Sequence, residues 1–358
     1  MPHLLVDISF HGFGHISQTA PVVNALAQRL PDLRVTVRSA APYPVLRQRL
    51  QCEFVHIPAA FDFGLKMDSA VDVRVADSAA AYRSVHAHWD DAVQREAKVM
   101  RELSPDLLLA DIPYLSLAAA QVAQIPAVAL CSLNWADIYQ HYCAGADFSS
   151  TAHAQMLAAY NSAACFLQPQ PCMPMPALSN TRVISPIVQI GHPQRAALKA
   201  KLSSRPVEKL VLLAMGGMEL RLPMENWPRI PGVHWLVPAD WHVAREDVSA
   251  FEPLGLSFKD VLASVDAVLT KPGYGTFAEA ACGGVPLLYL TRADWPETPY
   301  LVDWLQRNGA CREVSRAELE SGELHGALRE LWGMPLPPRP NASGAEEAAR
   351  HLCEMLRG

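Results

Sequence analysis

The fold is decided by the stretch Lys271-Pro-Gly-Tyr-Gly-Thr-Phe-Ala-Glu-Ala-Ala-Cys-Gly-Gly284. It follows the apolar run 266–270, whose length is typical of a buried parallel strand. Gly273 and Gly275 permit a tight turn that leaves backbone N–H groups uncovered by side chains. From Thr276 onward, apolar residues recur at helical spacing. A strand, a glycine turn and a helix N-terminus together are typical of a site for an anion, most often a phosphate.

Glu279 permits two interpretations. It lies one turn into the predicted helix, where its carboxylate could accept hydrogen bonds from sugar or ribose hydroxyls. Thr276 and Glu279 also have the spacing of a capping box, in which Glu279 would be a purely structural residue. The stretch alone leaves a phosphate site and an ordinary turn equally open.

Length and composition indicate a two-domain globular protein. The chain has 358 residues, of which 50% are hydrophobic and 18% charged. The net charge of -6 at pH 7 provides no basic surface for a nucleic acid. No apolar run approaches the length of a membrane span, and the N-terminus does not resemble a signal peptide. The eight cysteines have no metal-like spacing, so we expect a cytoplasmic protein with reduced thiols and no metal site; its oligomeric state stays open.

Strands and helices alternate in two series, which predicts two parallel, doubly wound sheets. The predicted strands are 4–9, 35–37, 54–57, 105–111, 127–131, 210–214, 233–237, 266–270 and 286–290. A single helix is predicted over 77–103, and the proline-rich segment 169–193 is predicted to be an extended connection. The predicted fold class is therefore α/β, with two Rossmann-like domains facing across a cleft. Their predicted bounds are 1–168 and 194–335, followed by a C-terminal helix over 341–358.

The segment His11-Gly-Phe-Gly-His15 forms a second junction of strand, glycines and helix. One interpretation is a dinucleotide fingerprint, because its glycines approach the G-x-G-x-x-G pattern. The acidic residue expected at the end of the second strand is missing, and Arg38 stands there instead. An NADP-dependent oxidoreductase could use Arg38, so that alternative stays open. Pro21 fits the helix that follows only if it lies in the first turn.

The other interpretation makes His15 a general base. Residues just after the first strand of a doubly wound sheet face the crevice at the carboxyl ends of the strands, where ligands bind. Asp111 ends another strand of the same predicted sheet. An imidazole held by a carboxylate is the usual base for a hydroxyl. Alternatively, His15 hydrogen-bonds its own turn and Asp111 caps the helix near Leu115.

The whole chain resembles the glycosyltransferases of the GT-B fold, and in particular the glycosyltransferase-like region of plant arabinokinases. The resemblance follows the chain in order and is carried by His11-Gly-Phe-Gly-His15, Asp111-Ile-Pro-Tyr114, Ser132-Leu-Asn-Trp135, Cys172-Met-Pro-Met-Pro176, 271–280 and 292–300. It implies inverting transfer of a sugar from a nucleotide-diphosphate donor, with the donor held by the C-terminal domain and the acceptor by the N-terminal one. The sugar-kinase half of the arabinokinases has no counterpart here, so kinase activity is not expected.

The resemblance also implies roles for single residues. Glu279 stands six residues after Gly273, as does the ribose-binding glutamate of the peptidoglycan N-acetylglucosaminyltransferase. His15 and Asp111 match the catalytic histidine and its acidic partner in plant small-molecule glycosyltransferases. Those plant enzymes end their donor motif in an acid followed by glutamine, whereas Glu297 is followed by Thr298 here. The contacts to the sugar are therefore open.

These arguments predict a metal-independent glycosyltransferase that needs no cofactor besides its nucleotide-sugar donor. The predicted catalytic residues are His15 and Asp111. The predicted donor-binding residues are Gly14, Gly216, Gly217, Lys271, Gly273, Tyr274, Gly275, Thr276, Glu279, Arg292 and Glu297. The predicted acceptor-side residues are His11, Asn134, Trp135 and Asp137, and segment 62–88 is expected to shape acceptor choice. The first alternative is a non-catalytic nucleotide-sugar-binding protein, and the second is an NADP-dependent oxidoreductase.

Overall fold

A computed structural model describes residues 1–11, 14–67, 73–146, 148–202, 207–215, 221–291 and 294–357. The chain divides into two units. The first comprises Met1–Ile187 together with Ala342–Gly358, and the second comprises Val188–Asn341.

The first unit is built on a parallel sheet. Its strands are β1 (His3–Ile8), β2 (Arg34–Arg38), β3 (Val55–Ile57), β4 (Leu107–Asp111), β5 (Ala127–Leu130), β6 (Cys165–Pro169) and β7 (Thr181–Ile184). Within the described residues their order is β3-β2-β1-β4-β5-β6-β7. Strand order reverses between β1 and β4, which pair in parallel with Ile8 opposite Asp111. This reversal is the switch point at which doubly wound sheets bind ligands.

Helices cover this sheet. They are α1 (Gly14–Arg29), α2 (Tyr43–Arg49), α3 (Val75–His86), α4 (Trp89–Leu103), α5 (Tyr114–Ala123), α6 (Trp135–Cys143) and α7 (Ser149–Ser162). Alternate residues of β1 (Leu4, Val6 and Ile8) point into one core with α1, as the two-residue period of a strand requires.

The second unit repeats the design. Its strands are β8 (Lys209–Ala214), β9 (Val233–Val237), β10 (Val248–Ala250), β11 (Ala267–Thr270), β12 (Leu287–Tyr289) and β13 (Cys311–Glu313). Their order in the described part of the unit is β10-β9-β8-β11-β12-β13, and the pairs are parallel. The helices are α8 (Arg195–Lys201), α9 (Phe258–Leu262), α10 (Tyr274–Gly283), α11 (Thr298–Asn308), α12 (Arg316–Ser321) and α13 (His325–Gly333). The switch point here lies between β8 and β11.

The last helix, α14 (Gly344–Arg357), belongs to the first unit. Its Ala348, Ala349 and Leu352 are fully buried in the same core as β1 and α1. At its start the Gly344 N–H donates to the Pro186 carbonyl at 3.2 Å. A Cβ at Gly344 would stand 2.0 Å from the Ser185 carbonyl oxygen, so this close approach requires glycine.

The predicted α/β class with two doubly wound sheets is confirmed, and three local expectations were wrong. The helix predicted over 77–103 is two helices, α3 and α4, which meet where His86 stacks on Trp89 at 5.0 Å between ring centroids. Segment 169–193 is not wholly a connection, because β7 within it is the edge strand of the first sheet. Pro21 lies inside α1 and is buried there, so tertiary packing overrides its cost to the helix. Within the described ranges, no helix has both the length and the apolarity to cross a membrane.

Candidate functional site

The candidate catalytic residues lie at the carboxyl ends of β1 and β4. Ser9 follows β1 directly, and its N–H donates to the Asp111 carbonyl at 2.7 Å, which holds the two strand ends together. Asp111 is the last residue of β4 and is fully buried. His15 is the second residue of α1, the helix that starts just beyond β1. Both side chains therefore reach the switch point of the first sheet.

His15 and Asp111 form a hydrogen-bonded pair, as the sequence predicted. The distance from His15 Nδ1 to Asp111 Oδ1 is 2.8 Å, and His15 is only 7% exposed. Thr19 Oγ1 donates to the other carboxylate oxygen at 2.7 Å, so the carboxylate is fixed in orientation. With the Nδ1–H donating to Asp111, the lone pair of the neutral imidazole lies on Nε2.

The capping role considered for Asp111 is wrong. α5 begins at Tyr114 with Pro113 as its N-cap, and no side chain caps it. The Asp111 carboxylate is used by His15 and Thr19 instead. A buried carboxylate on an imidazole can stabilise the imidazolium that forms when the other ring nitrogen takes a proton.

Sequence reasoning missed a second carboxyl group, that of Asp62. It follows β3, so it too stands at a carboxyl end of the first sheet. Its Oδ2 accepts hydrogen bonds from Ser9 Oγ and from Trp135 Nε1, the latter at 2.9 Å. Burial raises the pKa of Asp62, although both hydrogen bonds and the charge of a protonated His15 lower it. Its position after a predicted strand was the signal that could have found it.

The loop after β3 packs tightly on the predicted acceptor-side aromatic residues. Gly64 has a φ of +58°, and a Cβ there would lie 2.8 Å from both His11 and Trp135. Tyr82 OH donates to the Gly64 carbonyl at 2.7 Å. His11 meets Trp135 edge-on, with 5.4 Å between ring centroids. The structure thus brings His11 and Trp135 together beside Asp62.

Asn134 and Asp137 cap the N-terminus of α6. Asn134 is the N-cap of α6: its Oδ1 accepts from the Asp137 N–H at 2.8 Å, and its Nδ2 donates to Asp137 Oδ2 at 2.7 Å. Burial raises the pKa of Asp137, while the Asn134 hydrogen bond lowers it. The pair fixes the start of α6 and thereby places Trp135.

Three atoms of the types that bind metals meet around His15. Cys131 Sγ lies 3.7 Å from His15 Nδ1, and with Asp111 the three ligand atoms all lie within 4.8 Å of one another. All three residues are buried. The sequence predicted no metal site, because these residues are far apart along the chain and show no ligand spacing.

The predicted donor-binding junction lies at the switch point of the second sheet. Thr270 Oγ1 donates to the Ala214 carbonyl at 2.5 Å, joining the ends of β11 and β8. Gly273 is the N-cap of α10, and among the described residues a Cβ there would meet only the Lys271 carbonyl, at 4.0 Å. No described side chain therefore covers the start of α10 at Gly273, as an anion site requires.

The capping box proposed for Glu279 is wrong. α10 begins at Tyr274, so Thr276 lies inside the helix and cannot be its N-cap, and Gly275 is helical rather than part of the turn. Glu279 is buried, at 9% exposure, on the same helix.

The remaining predicted donor-binding residues lie at several places in the structure. Tyr274 is buried and Lys271 is partly exposed. Glu297 occupies the N-cap position of α11, where Trp295 Nε1 donates to its Oε2 at 3.3 Å. Gly14, predicted on the donor side, is the exposed first residue of α1 in the first unit. Gly216, Gly217 and Arg292, like Gly12 of the first junction, lie outside the described residues.

Comparisons with known proteins agree with this architecture. No protein-family model matches the chain. L-arabinokinase of Arabidopsis thaliana is 24% identical over 98% of this chain, which spans only 34% of that relative's length. The crystal structure of the glycosyltransferase of kitacinnamycin covers 99% of this chain and 95% of its own at 19% identity, with a TM-score of 0.61. That of Arabidopsis thaliana UGT89C1 complexed with UDP covers 99% and 100% at 15% identity, with a TM-score of 0.56. The chain has the GT-B fold.

Within this GT-B chain, Arg38 does not offer a phosphate site. Its Nε and Nη2 donate to the two carboxylate oxygens of Asp7 at 2.7 and 2.5 Å, and its Nη1 donates to Glu96. The guanidinium also stacks on Phe61, 4.4 Å from the ring centroid, and Arg38 is 2% exposed. The cation that an NADP-dependent oxidoreductase would need is thus already neutralised by two carboxylates.

Proposed function

We propose that the protein is an inverting glycosyltransferase that moves a sugar from a nucleotide-diphosphate sugar to an acceptor hydroxyl. The observation that carries the proposal is the 2.8 Å hydrogen bond between His15 and the buried Asp111 at the switch point of the first sheet. A GT-B fold built on two such sheets is consistent with it.

In this proposal His15 Nε2 takes the proton of the acceptor hydroxyl as its oxygen attacks the anomeric carbon. The bond from that carbon to the diphosphate oxygen breaks, and its electron pair leaves with the nucleoside diphosphate. Attack from the side opposite the leaving group inverts the anomeric configuration. Asp111 keeps the Nδ1–H in place and stabilises the imidazolium, and a base of this kind accelerates a reaction by about 10²- to 10⁴-fold.

The second unit supplies the donor site in this proposal. The first turn of α10, which no described side chain covers at Gly273, offers N–H groups and the positive end of a helix to the diphosphate. Gly216 and Gly217 are proposed to contact the diphosphate, with Lys271 and Arg292 adding positive charge. Glu279 is proposed to accept hydrogen bonds from the ribose hydroxyls. UGT89C1, which has a similar fold, was solved in complex with UDP, and this supports a nucleotide-sugar donor.

A nucleotide panel tests the function. We expect one of the UDP-, GDP-, dTDP-, ADP- or CMP-sugars to raise the melting temperature, because a ligand that binds only the folded protein stabilises it. Glu279→Gln should weaken binding of that donor about 10- to 100-fold, since hydrogen bonds to charged groups contribute roughly 1.5–3 kcal/mol. The exposed Glu323→Gln is the matched control. Stabilisation by NADPH and by none of the nucleotide sugars would contradict the proposal, as would a transferred sugar whose anomeric configuration, read by proton NMR, is retained.

We also propose that transfer needs no metal, and chelation tests this. EDTA should leave the transfer rate unchanged. Added Zn²⁺ should inhibit, because His15, Asp111 and Cys131 present ligand atoms within 4.8 Å of one another. Cys131→Ser should weaken that inhibition by removing the thiolate ligand. A rate that falls with EDTA and returns with Mg²⁺, Mn²⁺ or Zn²⁺ would show that the enzyme depends on a metal.

A further inference from the structure

One carboxylate oxygen of Asp62 accepts two hydrogen bonds, and the other accepts none from the residues that the structure describes. Oδ2 accepts from Ser9 Oγ and from Trp135 Nε1. Among the residues that the structure describes, Oδ1 has no hydrogen-bond partner, and the side chain is partly exposed. A carboxylate fixed through one oxygen presents the other in a defined direction at little entropic cost.

The groups that hold Asp62 also contact the proposed base or its carboxylate partner. Ser9 donates its N–H to the Asp111 carbonyl at 2.7 Å. The Trp135 ring lies 5.9 Å from the His15 ring, between centroids. Burial is the main cause of the raised pKa of Asp62, and the charges of His15 and Asp111 both act on it. Asp62 therefore belongs to the same small cluster of side chains as His15.

A polar group that binds the open oxygen must be a hydrogen-bond donor, because a carboxylate only accepts. The hydroxyl that attacks the sugar donates to His15 in the proposed function. Asp62 would then bind a second hydrogen-bond donor on the same acceptor molecule. A ligand that covers the partly exposed Oδ1 displaces the water around it, so the hydrogen bond then forms with little competition from solvent.

We propose that Asp62 Oδ1 accepts a hydrogen bond from a second hydroxyl of the acceptor, and that the acceptor is a polyhydroxylated molecule such as a monosaccharide. This inference rests on the proposed function and specifies its acceptor. An acceptor with a single hydroxyl on an apolar or aromatic frame would cover the open oxygen of Asp62 without donating to it, and a carboxylate oxygen that loses water without gaining a hydrogen bond weakens binding.

Ligand-observed NMR on the full chain tests this proposal. The probes are neutral pentoses and hexoses, with cyclohexanol and phenol as single-hydroxyl comparisons. We expect at least one monosaccharide to bind more tightly than either comparison, and Asp62→Asn to weaken it about tenfold. Asp90→Asn makes the same chemical change at an exposed position of α4 and should change nothing. Monosaccharide binding that Asp62→Asn leaves intact, an absence of monosaccharide binding, or equally tight binding of phenol would each overturn the proposal.

Two further measurements separate this proposal from neighbouring explanations. Donor binding in the nucleotide panel should be the same in Asp62→Asn and wild type, so a failure of the proposed function would appear there and not in the sugar titration. The second measurement is stability against pH. Because the folded-state pKa of Asp62 is raised, ionising it costs stability as the pH rises above about 4. Asp62→Asn should therefore gain melting temperature relative to wild type between about pH 4 and pH 7. Loss of sugar binding together with a lower melting temperature at pH 7 would indicate a folding defect and overturn the assignment.

Discussion

Replacing His15 by alanine should lower kcat for sugar transfer about a thousandfold, within the range of about 10² to 10⁴ that a general base contributes. The loss should appear in kcat and leave donor binding nearly unchanged, because the proposed nucleotide site lies on α10 of the second unit. Single-turnover transfer measurements and nucleotide titration on the same preparation would check both expectations.

Two further variants serve as a positive and a negative control for His15→Ala. Asp111→Asn removes the charge that stabilises the imidazolium and should also lower kcat steeply, since Asp111 binds Nδ1 directly. His88→Ala replaces an exposed histidine at the start of α4 and serves as the control. Transfer at the wild-type rate in His15→Ala would show that another group takes the proton.

Replacing Arg38 by methionine should have the largest effect on stability, a loss of about 3–5 kcal/mol at neutral pH. The guanidinium is 2% exposed and is bound by the fully buried Asp7 and by Glu96, so the variant leaves two carboxylates side by side without a cation. Burial already raises the pKa of Glu96 with Arg38 beside it. Urea unfolding of the variant and of wild type, at equal m values, would measure the difference.

The surface pair of Arg29 with Glu346 provides the matched comparison. Its atoms are 2.6 Å apart, but the two side chains are 41% and 51% exposed. Arg29→Met should therefore cost at most about 1 kcal/mol, because water screens the pair and both side chains lose entropy in forming it. Equal losses of unfolding free energy in Arg38→Met and Arg29→Met would show that burial does not increase the cost of removing Arg38.

Much of the fold followed from the sequence because the central strands of both sheets are buried. Runs such as Leu107–Asp111 and Ala267–Thr270 are buried throughout and apolar up to their last residue, which is typical of parallel sheets covered on both faces. β7 escaped prediction because its first three residues are exposed and polar side chains interrupt its pattern. The break between α3 and α4 was hidden as well, because the helical periodicity continues through it and a stack of aromatic rings marks it only in three dimensions.

The candidate site was predicted in part for the same reason. His15 and Asp111 adjoin clear strands, so the rule that ligands bind at strand ends placed them together. Asp62 lies on a loop whose path depends on Gly64 and on the hydrogen bond from Tyr82. No sequence period encodes such a path, since long-range contacts define it. The contribution of Cys131 could not be foreseen either, because its approach to His15 depends on the packing of α1 against β5.

The return of α14 to the first sheet affects how the chain folds as it is made. Ala348, Ala349 and Leu352 fill the core beneath β1, yet they leave the ribosome only after every residue of Val188–Asn341. During synthesis the second unit can complete its own core while the first still exposes an apolar face to chaperones. Nascent chains halted before Gly344 should therefore carry a complete second unit and an unfinished first one.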